Sequence, residues 1–229
     1  MTGVIDFLRD FPFFDNLDEE SLGKIAKFIL KRKYDKGTNI FLEEDQGDEL
    51  YFIESGLVQI YRLNEAREII LSLLKEGDFF GEMAVLEDEQ VRSASAKTVE
   101  KTTLYVLKRR DFDWLMSSNP DIAINILKTA LTRLRRANEL ITDLTVHDAR
   151  ARIARGLLRL IEMHGVHTAE GILINMKLTH QQIADMTGTV RETVTKVMSD
   201  LQLQQIVAVE KKIILVIDLA KLKQLVDTV

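Results

Sequence analysis

Cysteine is absent from these 229 residues. That excludes a disulfide framework, a thiolate zinc site and an iron–sulfur cluster held on cysteine. Histidine is scarce and late: His147, His164, His167 and His180 are the only four, so the first 146 residues offer no imidazole to a metal or a haem. A metalloenzyme of the cupin type would lack its ligands, and no metal, haem or iron–sulfur cluster is expected. No apolar run is long enough to cross a bilayer, and the N-terminus lacks a basic-then-apolar signal pattern. We expect a cytoplasmic chain with no membrane partner. Gly-x-Ser-x-Gly, P-loop and Cys–His patterns are missing too, so catalysis has no candidate site and no enzyme is expected.

What is present is ordinary in composition and uneven in charge. Hydrophobic residues make up 46% and charged ones 29%, usual for a globular chain. From His147 onward there are 11 basic against 9 acidic residues; before it there are 20 against 27. An acidic first part and a mildly basic second part point to domains with different partners, and the balance permits nucleic-acid binding without establishing it.

Asp18–Leu30 reads as a helix, with Asp18 as N-cap and Leu22, Ile25, Ala26 and Ile29 on one face. Phe11, Phe13 and Phe14 should pack beneath it. From Tyr34 to about Leu107, short β-rich runs (Asn39–Leu42, Leu50–Glu54, Leu57–Arg62, Ile69–Leu74, Thr102–Leu107) alternate with glycine-bearing turns, the grammar of an all-β sandwich or barrel. Glu49–Ile53 followed by Glu54-Ser55-Gly56 reads as a hairpin. One stretch interrupts this pattern. Gly77–Ala94 brackets an aromatic pair with two glycines, starts a short helix at Gly81-Glu82-Met83-Ala84, and brings Arg92-Ser93 ten residues after Glu82. Such a loop can approach an anion with free N–H groups, fork Arg92 onto a phosphate and let Glu82 accept from hydroxyls. It can equally be a glycine turn followed by a solvated acidic loop.

After a short helix at Asp111–Asn119, Pro120 opens a long helix to about Thr145 with no internal glycine or proline. Its seam, Ile124, Leu127, Leu131, Leu134, Asn138, Ile141 and Thr145, steps by 3 and 4 alternately, as in a coiled coil. A helix packed on its own domain is the alternative; Asn138 at a seam position favours a two-chain interface, hence a homodimer. Asp148–Met163 is a further amphipathic helix, and a β segment near Ile172–Met176 follows. Thr179 with Gln182, then Thr189 with Glu192, are two capping boxes in succession, the spacing of a helix-turn-helix whose second helix runs from Val190 to about Leu203. Ile206–Val209 and Ile213–Ile217 form a hairpin wing around Glu210-Lys211-Lys212. On that second helix Arg191 can fork onto guanine, Glu192 can accept from cytosine N4, and Lys196 can reach guanine one turn on. Thr179, Thr189 and Thr193 are candidate phosphate contacts.

In this order the parts resemble the CRP/FNR family of bacterial transcription regulators, most of all its cyclic-AMP receptor branch, over nearly the whole chain. Gly81-Glu82-Met83-Ala84 with Arg92-Ser93 is similar to that branch's phosphate-binding cassette, and Arg191-Glu192-Thr193-Val194 to its DNA-reading R-E-T-V. The resemblance implies an α+β chain: an N-terminal β-roll (double-stranded, jelly-roll-like) over 1–119, a dimerisation helix over 120–146 and a winged helix-turn-helix over 147–229. It implies cyclic AMP or a related cyclic nucleotide as effector, with Glu82 on the ribose 2′-hydroxyl and Arg92 and Ser93 on the cyclic phosphate. Gly81, Met83 and Ala84 would line the site, and Arg133 would reach the same acid. Double-stranded DNA with palindromic TGTGA-like half-sites and RNA polymerase are the partners it implies. One departure stands out: where the branch has Thr-Ser facing the adenine, this chain has Ala137-Asn138. Asn138 can still donate and accept toward a base edge. A regulator answering another effector, or active without one, therefore stays open, as does a cyclic-nucleotide-binding regulatory subunit, which would lack the double capping box and the wing.

Overall fold

The computed structural model describes residues 2–15, 17–65 and 67–227. Two compact units divide the chain, Met1–Leu134 and Arg135–Val229, with the boundary inside a long helix.

The first unit opens with α1 (Thr2–Asp10), a single 3-10 turn at Pro12–Phe14 and α2 (Glu19–Phe28), where the Asp18 carboxylate accepts from the Ser21 N–H as an N-cap. The expected helix to Leu30 stops two residues early: Ile29 is already extended, and Leu30 begins β1 (Leu30–Tyr34), paired in register with Val106. Ladder bonds to the sheet replace the next helical turn. The other strands are β2 (Asn39–Phe41), β3 (Glu49–Ser55), β4 (Val58–Asn64), β5 (Arg67–Leu74), β6 (Phe79–Phe80), β7 (Ser95–Thr98) and β8 (Thr102–Lys108), with α3 (Glu82–Leu86) between β6 and β7. They form two antiparallel sheets, ordered β1-β8-β3-β6 and β2-β7-β4-β5.

The hairpin expected at Glu54-Ser55-Gly56 does not form. β3 pairs with β8 and β6, whereas β4 pairs with β5 and β7, so this turn carries the chain from one sheet to the other. Local turn chemistry marks where a strand ends, but not which strand it pairs with next. One core cluster (Tyr51, Ile53, Val58, Leu74, Phe80, Ala96, Leu104, Val106) fills the roll. A second gathers Phe11, Phe13 and Phe14 beneath α1 and α2, as their sequence position suggested, and adds Phe52 and Phe79 from the strands.

After α4 (Arg109–Ser118), α5 (Pro120–Val146) presents two faces. Ile122 and Ile126 are buried in the phenylalanine cluster, anchoring the helix to its own unit. The seam residues Ile124, Leu127, Leu131, Leu134 and Ile141 are instead 49–61% exposed. The second unit contains α6 (Ala149–His164), β9 (Gly165–Thr168), β10 (Gly171–Ile174), α7 (His180–Thr187), α8 (Arg191–Leu203), β11 (Val207–Glu210), β12 (Ile213–Val216) and α9 (Leu219–Asp227). Its sheet, β11-β12-β10-β9, contains the expected wing. At the wing's two-residue tip Lys211 and Lys212 both have positive φ, as a hairpin turn that follows strand twist requires.

Candidate functional site

The site in the first unit is built around Arg92. Backbone bonds fix its main chain from both sides: its N–H donates to the Asp45 carbonyl and its carbonyl accepts from the Glu44 N–H, both at 2.9 Å. Gly47 N–H donates to the Gln90 carbonyl nearby. Held this way, the side chain turns inward and is only 4% exposed. Nη1 donates to the Gly81 carbonyl and Nη2 to the Glu49 carbonyl, each at 3.0 Å. The guanidinium lies 4.2 Å from the ring centre of Phe41 and 5.6 Å from that of Tyr51, a cation–π arrangement.

Two glycines make room for it. Gly81 sits at φ +86, where side chains are strained, and a Cβ there would lie 2.8 Å from Arg92 Nη1. At Gly47 a Cβ would overlap the guanidinium itself. Gly47→Ala should therefore unseat Arg92 and cost about 1–3 kcal/mol, the usual scale of overpacking. A lowered urea midpoint would register it, and an unchanged midpoint would show the seat to be loose.

Glu49, Asp48 and Asp45 act on this buried charge from a distance, but none forms an ion pair with it among the described residues, and Arg92 Nε is buried without a partner. Glu49 is close, but its carboxylate turns away. It accepts two bonds from Arg32 at 2.6 and 2.7 Å and one from the Tyr51 hydroxyl at 2.8 Å. Burial pushes the Glu49 carboxyl up, yet those bonds outweigh it and keep the group below its ordinary value. Burial lowers the Arg92 pKa, since taking a cation out of water disfavours its charged form. A desolvated guanidinium of this kind is costly unless an anion meets it. The arrangement suits an oxyanion.

Other expected site residues of this unit lie on α3, beside Arg92 in sequence, and on α5. Glu82 opens α3 and accepts from Arg133 Nη1 at 2.6 Å, while Arg133 Nη2 donates to the Phe79 carbonyl. Glu82 is thus tied to α5. Ser93 Oγ lies 3.2 Å from the Met83 sulfur, and both residues are exposed. Ala84 is buried in α3. Asn138 is exposed on α5 within the second unit. The sequence reading missed Phe41, Gly47, Glu49 and Tyr51. Gln46-Gly47-Asp48 reads in sequence as one more glycine-bearing turn, though Glu49 and Tyr51, two apart on a strand, share one face.

In the second unit, Thr179 and Gln182 close the first capping box: Gln182 N–H donates to the threonine hydroxyl and Thr179 N–H to the glutamine carbonyl. The second box is corrected. Thr189 lies one position before the N-cap, its N–H donating to the Ala184 carbonyl, and the N-cap is Val190, whose carbonyl accepts from Val194 N–H. The left-handed turn at Gly188 uses up the residue that the Thr-x-x-Glu spacing assigned to the cap. The Thr189 side chain is consequently buried rather than facing out. Arg191, Glu192 and Lys196 are exposed along α8, and Thr193 is half-buried. Two bracing residues escaped notice. Arg152 donates to the carbonyls of His147, Thr187 and Gly188, holding the turn between α7 and α8. His180 Nδ1 lies 2.9 Å from Thr195 Oγ1, joining the two helices.

Comparison with known proteins agrees with both halves. Residues 31–119 match the cyclic nucleotide-binding domain, and residues 151–225 match the Crp-like helix-turn-helix domain. A cyclic AMP receptor protein of Thermus thermophilus is 35% identical over 85% of this chain and 87% of its own length. An anaerobic regulatory protein of Bacillus subtilis is 30% identical over 92% of this chain and 90% of its own. Among solved structures, a CooA mutant from Carboxydothermus hydrogenoformans shares the fold with a TM-score of 0.77 at 24% identity, covering 94% of this chain and 95% of that one.

Proposed function

Because this chain belongs to the CRP/FNR family of DNA-binding transcription regulators, we propose that it acts in the cytoplasm as a homodimer switched by a cyclic nucleotide, cyclic AMP first among them. The observation that carries the ligand reading is the buried Arg92 guanidinium, which has carbonyl partners but no carboxylate among the described residues. A cyclic phosphate supplies the missing anion. On binding, it exchanges the Gly81 and Glu49 carbonyls for phosphate oxygens, with Ser93 donating beside it and Gly81, Met83 and Ala84 forming the wall. Glu82 keeps lone pairs for a ribose hydroxyl after accepting from Arg133.

The signal then runs through Arg133 to α5. In the dimer the exposed seam of α5 meets its copy, and the ligand biases that helix pair toward the arrangement that sets two α8 helices one DNA turn apart. The wing and α8 meet a palindromic operator with TGTGA-like half-sites, Arg191, Glu192 and Lys196 reading bases and Thr179 and Thr193 standing near phosphates. RNA polymerase is the further partner.

Isothermal titration with cyclic AMP, cyclic GMP and cyclic di-GMP tests the ligand reading. Saturable heat with one of them is expected; none with any, at protein well above micromolar, would leave a regulator with another effector or none. The seam has its own test. Leu131→Glu should place two carboxylates in the dimer core, costing ~4 kcal/mol and raising the dimer dissociation constant about a thousandfold. Sedimentation velocity at micromolar protein should then show a monomer where the wild type is a dimer.

A further inference from the structure

The residue just before α8 is explained neither by folding nor by the roles above. Val190 is the N-cap, yet it brings no side-chain oxygen to the N–H groups of the first turn. Apolar residues are the poorest caps, weaker than Ser, Thr, Asn or Asp by ~1 kcal/mol. Val190 does not compensate by filling the core: it is 50% exposed, whereas Val194 and Val197 on the same helix are buried. Its dihedrals, φ −108 and ψ 154, are relaxed extended backbone, so no strain calls for a valine. The residue that could have capped, Thr189, is turned inward. The chain thus holds a branched apolar group in solvent at the end of the helix, directly before Arg191 and Glu192.

We propose that Val190 reads a base, packing its methyl groups on the C5-methyl of a thymine in the major groove. This rests on α8 being the DNA-reading helix. In helix-turn-helix proteins the first residues of that helix are the ones that contact base edges. Valine carries neither donor nor acceptor, so phosphate oxygens and polar base edges gain nothing from it. The apolar group that a base pair offers in the major groove is the thymine methyl. Val190 therefore adds a thymine preference at one position of each half-site, beside the pair contacted by Arg191.

The test uses the full-length protein and the palindrome it selects from a random duplex pool. Symmetric pairs of thymines are replaced in turn by deoxyuridine, which removes the methyl alone. One pair should weaken wild-type binding by about fourfold for each methyl lost from contact. Val190→Ser should bind that duplex and its thymine parent alike. Serine is the better cap, so the variant should fold at least as stably. Wild-type indifference to every replacement, or a Val190→Ser protein as sensitive as the wild type, overturns the proposal. Arg191→Ala on the same duplexes separates the layers. If it loses selectivity while no thymine methyl matters, Val190 alone is misassigned; if the wild type selects no palindrome, the DNA reading falls and Val190 falls with it.

Discussion

Replacing Arg92 by leucine should leave a folded dimer that no longer takes up a cyclic nucleotide. The size of the effect follows from geometry. A guanidinium forks two charge-assisted bonds onto a phosphate, each worth about 1.5–3 kcal/mol, so affinity should fall about a hundredfold or more. Stability should change much less. The Gly81 and Glu49 carbonyls lose their donors, at about 1–3 kcal/mol each if left unsatisfied. Against that, a buried cation without a carboxylate partner is removed from between Phe41 and Tyr51, where leucine packs well. The α5 seam is not touched. Titration calorimetry with sedimentation distinguishes the outcomes: a monomer, or an unfolded chain, would make Arg92 a structural pin. Arg92→Lys, which keeps the charge without the fork, should fall between.

The second large effect is expected at Arg191. Its side chain is exposed at the first position of α8, and a bidentate contact to guanine is worth about 1–3 kcal/mol of discrimination in each half-site. Arg191→Ala in both copies should therefore abolish selective retention of a TGTGA-type palindrome over a scrambled duplex. Non-specific binding, which rests on phosphate contacts, should survive at low salt. Retained selectivity would move base reading elsewhere on α8.

Elements with a local cause were legible in the sequence. Asp18 at the start of α2, the Thr179–Gln182 box and the uninterrupted helix that Pro120 opens all have causes within a few residues, and all stand in the structure. The misses are non-local. Strand pairing decided that Leu30 leaves α2 and that Ser55-Gly56 crosses between sheets. The turn at Gly188 draws the Thr189 N–H back to the Ala184 carbonyl, so α8 is capped one residue later, at Val190. The candidate site was half visible: the spacing of Glu82 and Arg92 marked its loop, but Phe41, Gly47 and Tyr51 all precede Arg92 by a long stretch of chain. A sequence window around Arg92 does not reach them.

The most direct measurement is the fluorescence anisotropy of a labelled palindrome bound by the wild type and by Arg92→Leu, with and without a saturating cyclic nucleotide. A nucleotide seated on Arg92 and coupled to α5 through Glu82 and Arg133 predicts a saturable change in DNA affinity for the wild type and none for the variant. Equal affinity with and without nucleotide in the wild type, or an unchanged response in Arg92→Leu, would contradict it.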